Sequence, residues 1–108
     1  MVETAGRTLS TVDDKGRLKL PADARTFRNI DAGDVVLIDI HRGTQDGIDH
    51  LGSMFDEVDQ KGRVSIDNSL REQWGLSPGD ELLLEAVRVP GARQDQIREI
   101  VHGNERYA

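Results

Sequence analysis

The sequence has no cysteine, which excludes disulfides and thiolate metal sites and fits a reducing cytoplasm, the expected compartment. Aromatic residues are few: Phe27, Phe55, Trp74 and Tyr107. Any core must therefore be built from valine, isoleucine and leucine. No apolar run approaches the roughly 20 residues that a membrane-spanning helix needs. Met1 to Arg7 carries no apolar signal core. No membrane partner is expected. Lysine is nearly absent as well, at Lys15, Lys19 and Lys61 alone, while arginine occurs 11 times and aspartate 13 times.

What is present is mostly acidic. The net charge of −6 disfavours a simple basic nucleic-acid binder. The imbalance is local. Residues 1–42 hold 7 Lys/Arg and 7 Asp/Glu, whereas residues 43–108 hold 7 against 13. Such a surface suits ordinary solubility and also suits high salt. His41, His50 and His102 sit in three unrelated segments, with His41 expected at the surface of a strand end. No histidine cluster, nucleophile motif or phosphate loop is readable. No metal, no cofactor and no enzymatic activity are expected.

A chain of 108 residues forms one small domain or two half-domains sharing a core. Self-similarity decides between them. Val12–Arg42 lies over Val58–Arg88 without a gap, at an offset of 46 residues, and ten of the 31 positions are identical. They are Val12/Val58, Asp13/Asp59, Lys15/Lys61, Gly16/Gly62, Arg17/Arg63, Arg25/Arg71, Gly33/Gly79, Asp34/Asp80, Leu37/Leu83 and Arg42/Arg88. Apolar positions stay in register, as in Leu18/Val64 and Leu20/Ile66. The expected organisation is a first repeat at 7–42, a linker at 43–53, a second repeat at 54–88 and a tail at 89–108.

Each repeat reads as strand, turn, strand, short helix, Gly-Asp turn, strand. Residues 7–13 and Arg17 to Leu20 alternate as strands. Asp13 to Gly16 is the turn, with glycine placed for a left-handed residue. Pro21 stops the ladder and opens a helix over Ala22 to Arg28. Asn29 and Gly75 stand where left-handed caps are expected. In the second repeat Asp67 to Ser69 offers capping oxygens, and Ser69 with Glu72 a capping box. Ser77-Pro78-Gly79-Asp80 fits a type II turn, matched by Asp31-Ala32-Gly33-Asp34. The apolar strands that follow, Val35 to Ile40 and Glu81 to Val87, belong at the centre. Neither repeat can bury its own face. Two can, by closing one barrel of six to eight strands with two short helices around a pseudo-twofold axis. Gly43, Gly47 and Gly52 mark the linker, to which Ile48 and Leu51 can add a short edge strand. Gln94 to His102 reads as a weak helix ended by Gly103, with Ile97, Ile100 and Val101 on one side.

The run Val-Asp-x-x-Gly-Arg-apolar-x-apolar-Pro, then a short helix carrying arginine, then Gly-Asp and an apolar strand, resembles the AbrB/MazE/SpoVT family of swapped-hairpin barrels. The resemblance covers residues 7–42 and 54–88. The second copy departs from it at Asp67, where the first has Pro21. Members of that family usually carry one copy and dimerise. Two copies in one chain resemble the arrangement of MraZ, whose repeated Asp-x-x-x-Arg motif is met by Asp13 with Arg17 and Asp59 with Arg63. The fold this implies is mainly β: an AbrB-like swapped-hairpin β-barrel of two tandem ββαβ repeats with two short helices. The function it implies is transcriptional regulation through double-stranded DNA. Arg17, Arg25, Arg63 and Arg71 take the positions of the family's DNA-contacting arginines. The family's basic pair before Val-Asp is replaced by Ser10-Thr11 and Asp56-Glu57.

The residues themselves leave two readings open. Asp13 and Asp59 suit a cross-turn ion pair or a cap on backbone N–H groups. Arg17 and Arg63 suit phosphate contact or support of the fold. Gly16, Gly62, Gly33, Asp34, Gly79 and Asp80 read as structural turn residues. Arg7, Lys15, Arg17 and Lys19 make the expected phosphate footprint, with Lys61 and Arg63 a weaker echo, so binding is expected to be dominated by the first copy. Two other functions compete: an antitoxin whose tail grips a toxin, and a protein-interaction barrel without DNA binding. Self-association and a protein partner for the tail are the further partner expectations.

Overall fold

The computed structural model describes the backbone of residues 7–107 and the side chains of 7–100. The elements are β1 (Arg7–Thr11), β2 (Arg17–Lys19), α1 (Ala22–Phe27), β3 (Val35–Thr44), β4 (Gly47–Glu57), β5 (Arg63–Ser65), α2 (Asn68–Trp74), β6 (Glu81–Arg88) and α3 (Gly91–Tyr107). The architecture is mainly β. One antiparallel sheet runs β1-β6-β3-β4, and a two-stranded ribbon pairs β2 with β5.

The apolar strands β3 and β6 sit in the middle of the larger sheet. Their alternation points Val36, Ile38, Ile40, Leu82, Leu84 and Ala86 to one side, all buried. The ribbon lays Leu18, Leu20, Val64 and Ile66 against that side, and Val12, Val58 and Ile30 complete the cluster. Burying a leucine or isoleucine of this kind is worth about 1.5–3 kcal/mol. With four aromatic residues in the chain, this aliphatic cluster carries the fold.

Pairing crosses the duplication. The first strand of repeat one, β1, pairs with the last strand of repeat two, β6, through Leu9 opposite Leu83. The C-terminal half of β4 pairs reciprocally with β3, through Phe55 opposite Leu37. The second strands pair with each other, Leu18 opposite Val64. The two sheets are not joined into the single continuous barrel expected from the sequence. Side chains take the place of ladder bonds at both seams. Ser10 Oγ donates to the Lys19 carbonyl at 2.8 Å. At the equivalent place the Ser65 N–H donates to Asp56 Oδ2 at 2.7 Å.

Three expectations need correction. Segment 43–53 is not a linker: it lies almost wholly in the β3–β4 hairpin, with the turn at 45–46. Gly47 has φ +144°, and a Cβ on Gly52 would lie 2.5 Å from Trp74 Cζ2. The capping box is not formed, since neither α1 nor α2 has a side-chain cap bond. Asn68 turns its side-chain oxygen to the Arg71 guanidinium instead. The third correction concerns α3, which runs past Gly103 to Tyr107 and docks. Gln94 is buried, its amide donates to the Val89 carbonyl at 2.9 Å, and its oxygen accepts the Val35 N–H at 3.3 Å. Arg98 pairs with Glu57 at 2.8 Å. Ile97 is half-buried and Ile100 exposed; the side chains of Val101 and His102 lie outside the described residues. The left-handed caps stand where the sequence places them, at Asn29 (φ 58°) and Gly75 (φ 65°).

Candidate nucleic-acid interface

The Val-Asp turns are built from their own side chains. Asp13 Oδ1 accepts the N–H groups of Lys15 and Arg17, each at 2.8 Å, and Oδ2 accepts Arg17 Nε at 2.8 Å. Asp59 repeats this with Lys61 at 2.9 Å, Arg63 N–H at 2.8 Å and Arg63 Nε at 2.7 Å. The aspartates therefore do both things the sequence allowed, pairing and capping. Burial pushes both carboxyls up, but the backbone N–H donors and the arginine beside each outweigh it and hold them below the usual carboxylate range.

Identical residues latch the repeats to each other. Arg25 donates Nε to the Leu20 carbonyl at 2.9 Å, and its guanidinium lies across Gly62. A Cβ on Gly62 would sit 2.6 Å from Arg25 Cζ. Arg71 donates Nε to the Ile66 carbonyl at 3.1 Å and lies across Gly16, where a Cβ would sit 2.5 Å from its Cζ. Both glycines have positive φ, +77° and +79°, so conformation and close approach demand glycine together. The Gly-Asp turns are shared the same way. Gly33 N–H donates to the Val58 carbonyl and Gly79 N–H to the Val12 carbonyl, each at 2.8 Å. Asp34 Oδ2 accepts Arg88 Nε at 3.2 Å, and Arg42 stands 3.7 Å from Asp80.

These contacts account for most of the identical pairs. Lys15/Lys61 stands apart as the identical pair whose side chains are exposed. The lysines sit at the turn tips at opposite ends of the β2–β5 ribbon. On the ribbon's outward face Arg17 lies opposite Ser65, and Lys19 opposite Arg63. All three lysines of the chain thus gather on this element and its turns. The ladder bonds Leu20 N–H to Gly62 O and Ile66 N–H to Gly16 O make Lys19/Arg63 a non-hydrogen-bonded pair. Side chains approach most closely in such pairs, and like charges directly opposite are destabilising.

Of the expected footprint, Lys15, Arg17 and Lys19 lie along the one ribbon, Lys15 with Arg17 at one end and Lys19 with Lys61 and Arg63 at the other. Arg7 does not. It lies in the larger sheet opposite Glu85. Arg25 and Arg71 flank the ribbon but are engaged with backbone carbonyls. Ser10 and Asp56 hold the seams.

Outside this face the structure corrects the histidines. His41 is buried, 8% exposed, and its ring is 4.8 Å from that of His50, which stands 3.5 Å from Asp39. The register shift between Ile40 and His41 brings the two rings together, a feature invisible in the sequence. Burial lowers the His41 pKa, and Arg7 and His50 lower it further. Among the described residues no group of three or more His, Cys, Asp and Glu is arranged to hold a metal ion.

Fold and site together define a small β-rich protein of two interlocked repeats with one outward cationic ribbon. Among solved structures it is similar to the solution structure of PHS018 from Pyrococcus horikoshii, with TM-score 0.67 and 28% identity over 81% of this chain and 94% of that one. No family model matches the sequence, and no curated protein matches it.

Proposed function

We propose that the protein is a DNA-binding transcriptional regulator of the AbrB-like class, and that the outward face of the β2–β5 ribbon meets the phosphate backbone of double-stranded DNA. The observation that carries this reading is that the exposed lysines Lys15, Lys19 and Lys61 all lie on one ribbon and its turns, beside the half-buried Arg63, in an otherwise acidic protein. Arg63 is paired with Asp59, and Lys19 opposite it adds a second, exposed cation to the same end of the face. The pairing of β1 with β6, across the repeats, supports the finer description of the fold as one in which the repeats exchange hairpins. The acidic remainder of the surface is repelled by DNA and leaves the ribbon as the approach face.

The test is fluorescence anisotropy with a labelled mixed-sequence duplex across a salt series. Affinity falls with salt, and replacing Lys15 and Lys61 together by glutamine lowers the slope of log K against log salt by about 1–2. Failure of the wild-type protein to bind any duplex at low salt refutes the reading.

A further inference from the structure

The two ends of the ribbon are not equivalent. At one end stand Lys61 at the turn tip, Arg63 with Lys19 opposite it, and Arg25 lying over Gly62. At the other stand Lys15 at the tip, Arg17 with Ser65 opposite it, and Arg71 lying over Gly16. Three differences between the repeats separate them, and all have the same sign. Ser65 replaces Lys19. Asp14 stands beside Lys15 where Gln60 stands beside Lys61. Asp67 follows Ile66, whose N–H is bonded to Gly16, where Pro21 follows Leu20, whose N–H is bonded to Gly62. Asp23 on α1, matched by Ser69 on α2, runs the other way. Counting the turn aspartates, the first end sets Lys19, Lys61, Arg63 and Arg25 against Asp59 and Asp23. The second sets Lys15, Arg17 and Arg71 against Asp13, Asp14 and Asp67.

Gly16 to Leu20 spans about 13 Å of extended chain. That exceeds the screening length of about 8 Å at physiological salt. The two ends therefore act on separate phosphates and do not average.

We infer that the Lys61-Gly62-Arg63 end, completed by Lys19 from the other repeat, is the principal phosphate seat for duplex DNA. The inference rests on the DNA-binding reading and deepens it: the ribbon has a polarity. The seat belongs to neither repeat alone. It joins the turn of repeat two to the strand of repeat one, which reverses the sequence-based expectation that the first copy dominates. Arg63 is the arginine whose outward neighbour is a cation, while Arg17 faces a serine.

The test compares single charge removals with one exchange that keeps the total charge. Labelled duplex affinity is measured for wild type, Lys15→Gln, Lys61→Gln, Lys19→Ser, and the double variant Lys19→Ser with Ser65→Lys. Circular dichroism melts verify that each is folded; the altered side chains are solvent-exposed. Lys61→Gln and Lys19→Ser each weaken binding several-fold, and Lys15→Gln does so by less than half as much. In the double variant the sensitivity transfers, so that adding Lys15→Gln now weakens binding more than adding Lys61→Gln. Equal losses from Lys15→Gln and Lys61→Gln in wild type, or no transfer in the exchanged background, overturn the seat while leaving DNA binding standing. Absence of wild-type binding overturns both.

Discussion

Replacing Gly62 by alanine tests the interlock of the repeats at one atom. Two costs are expected. At φ +79° an L-residue pays about 1–2 kcal/mol for the left-handed conformation. The new Cβ would also fall 2.6 Å from Arg25 Cζ and Nε. The guanidinium is at the end of a flexible side chain and moves away, but it then gives up its bond to the Leu20 carbonyl. A hydrogen bond from a charged group contributes about 1.5–3 kcal/mol, at the lower end here because Arg25 is only half-buried. The sum is about 2.5–4 kcal/mol, a large part of the roughly 5–15 kcal/mol that holds a domain folded. Urea unfolding of four proteins separates the costs: wild type, Gly62→Ala, Arg25→Ala and the double variant. With Arg25 already truncated, Gly62→Ala costs only the conformational part, so the cycle shows a coupling above about 0.5 kcal/mol. Gly79→Ala is the control, because its φ is +95° and nothing lies within 4 Å of a Cβ there. It is expected to cost the conformational part alone. A Gly62→Ala penalty that is the same with and without Arg25 refutes the close approach of the two repeats at this point.

Three further outcomes follow from the same contacts. Asp13 and Asp59 have lowered pKa values, so the stability they contribute is present above the ordinary carboxylate range, about pH 4, and is lost as pH falls through it. Asp59→Asn is expected to flatten the acid limb of a profile of urea midpoint against pH, and an unchanged limb counts against the turn geometry. Burial, with Arg7 and His50 nearby, lowers the His41 pKa from 6.5. The unfolded chain therefore binds the proton more readily, and stability declines as pH drops below about 6.5. His41→Gln removes that part of the decline, and an identical pH profile in the variant refutes it. Gln94→Ala leaves the Val35 N–H and the Val89 carbonyl without their partner, at a cost of about 1–3 kcal/mol. Hydrogen exchange at the Val35 amide is expected to accelerate, whereas unchanged protection would show that α3 does not dock through Gln94.

The duplication was legible because turns and apolar alternation are local. Asp13 to Gly16, Asn29 and the central strands β3 and β6 all follow from neighbours in sequence. Pairing was less legible. Nothing within one repeat says that Lys19 will stand opposite Arg63, since that register depends on two strands 46 residues apart crossing antiparallel. The duplication itself was the available signal, because a pseudo-twofold axis sets equivalent strands against each other. The hairpin at 43–53 was misread for a related reason. Gly52 looks like a linker residue until Trp74 is seen packed on it. His41 looked like a surface residue because its burial depends on the shifted register of β3 against β4. Arg25 and Arg71 were legible as cations, but their engagement with the turn of the other repeat was not.

The reciprocity of these contacts constrains how the two halves can change. A substitution at Gly16, Arg25, Gly62 or Arg71 is felt in the opposite repeat, because each latch joins an arginine of one repeat to a glycine turn of the other. The outward positions carry no such tie. Asp14 and Gln60, Lys19 and Ser65, Pro21 and Asp67 have each departed from their counterpart without disturbing the interior. The latches match between the repeats, but buried positions differ too, as with His41 and its exposed counterpart Val87, so the symmetry that persists is that of the reciprocal turns.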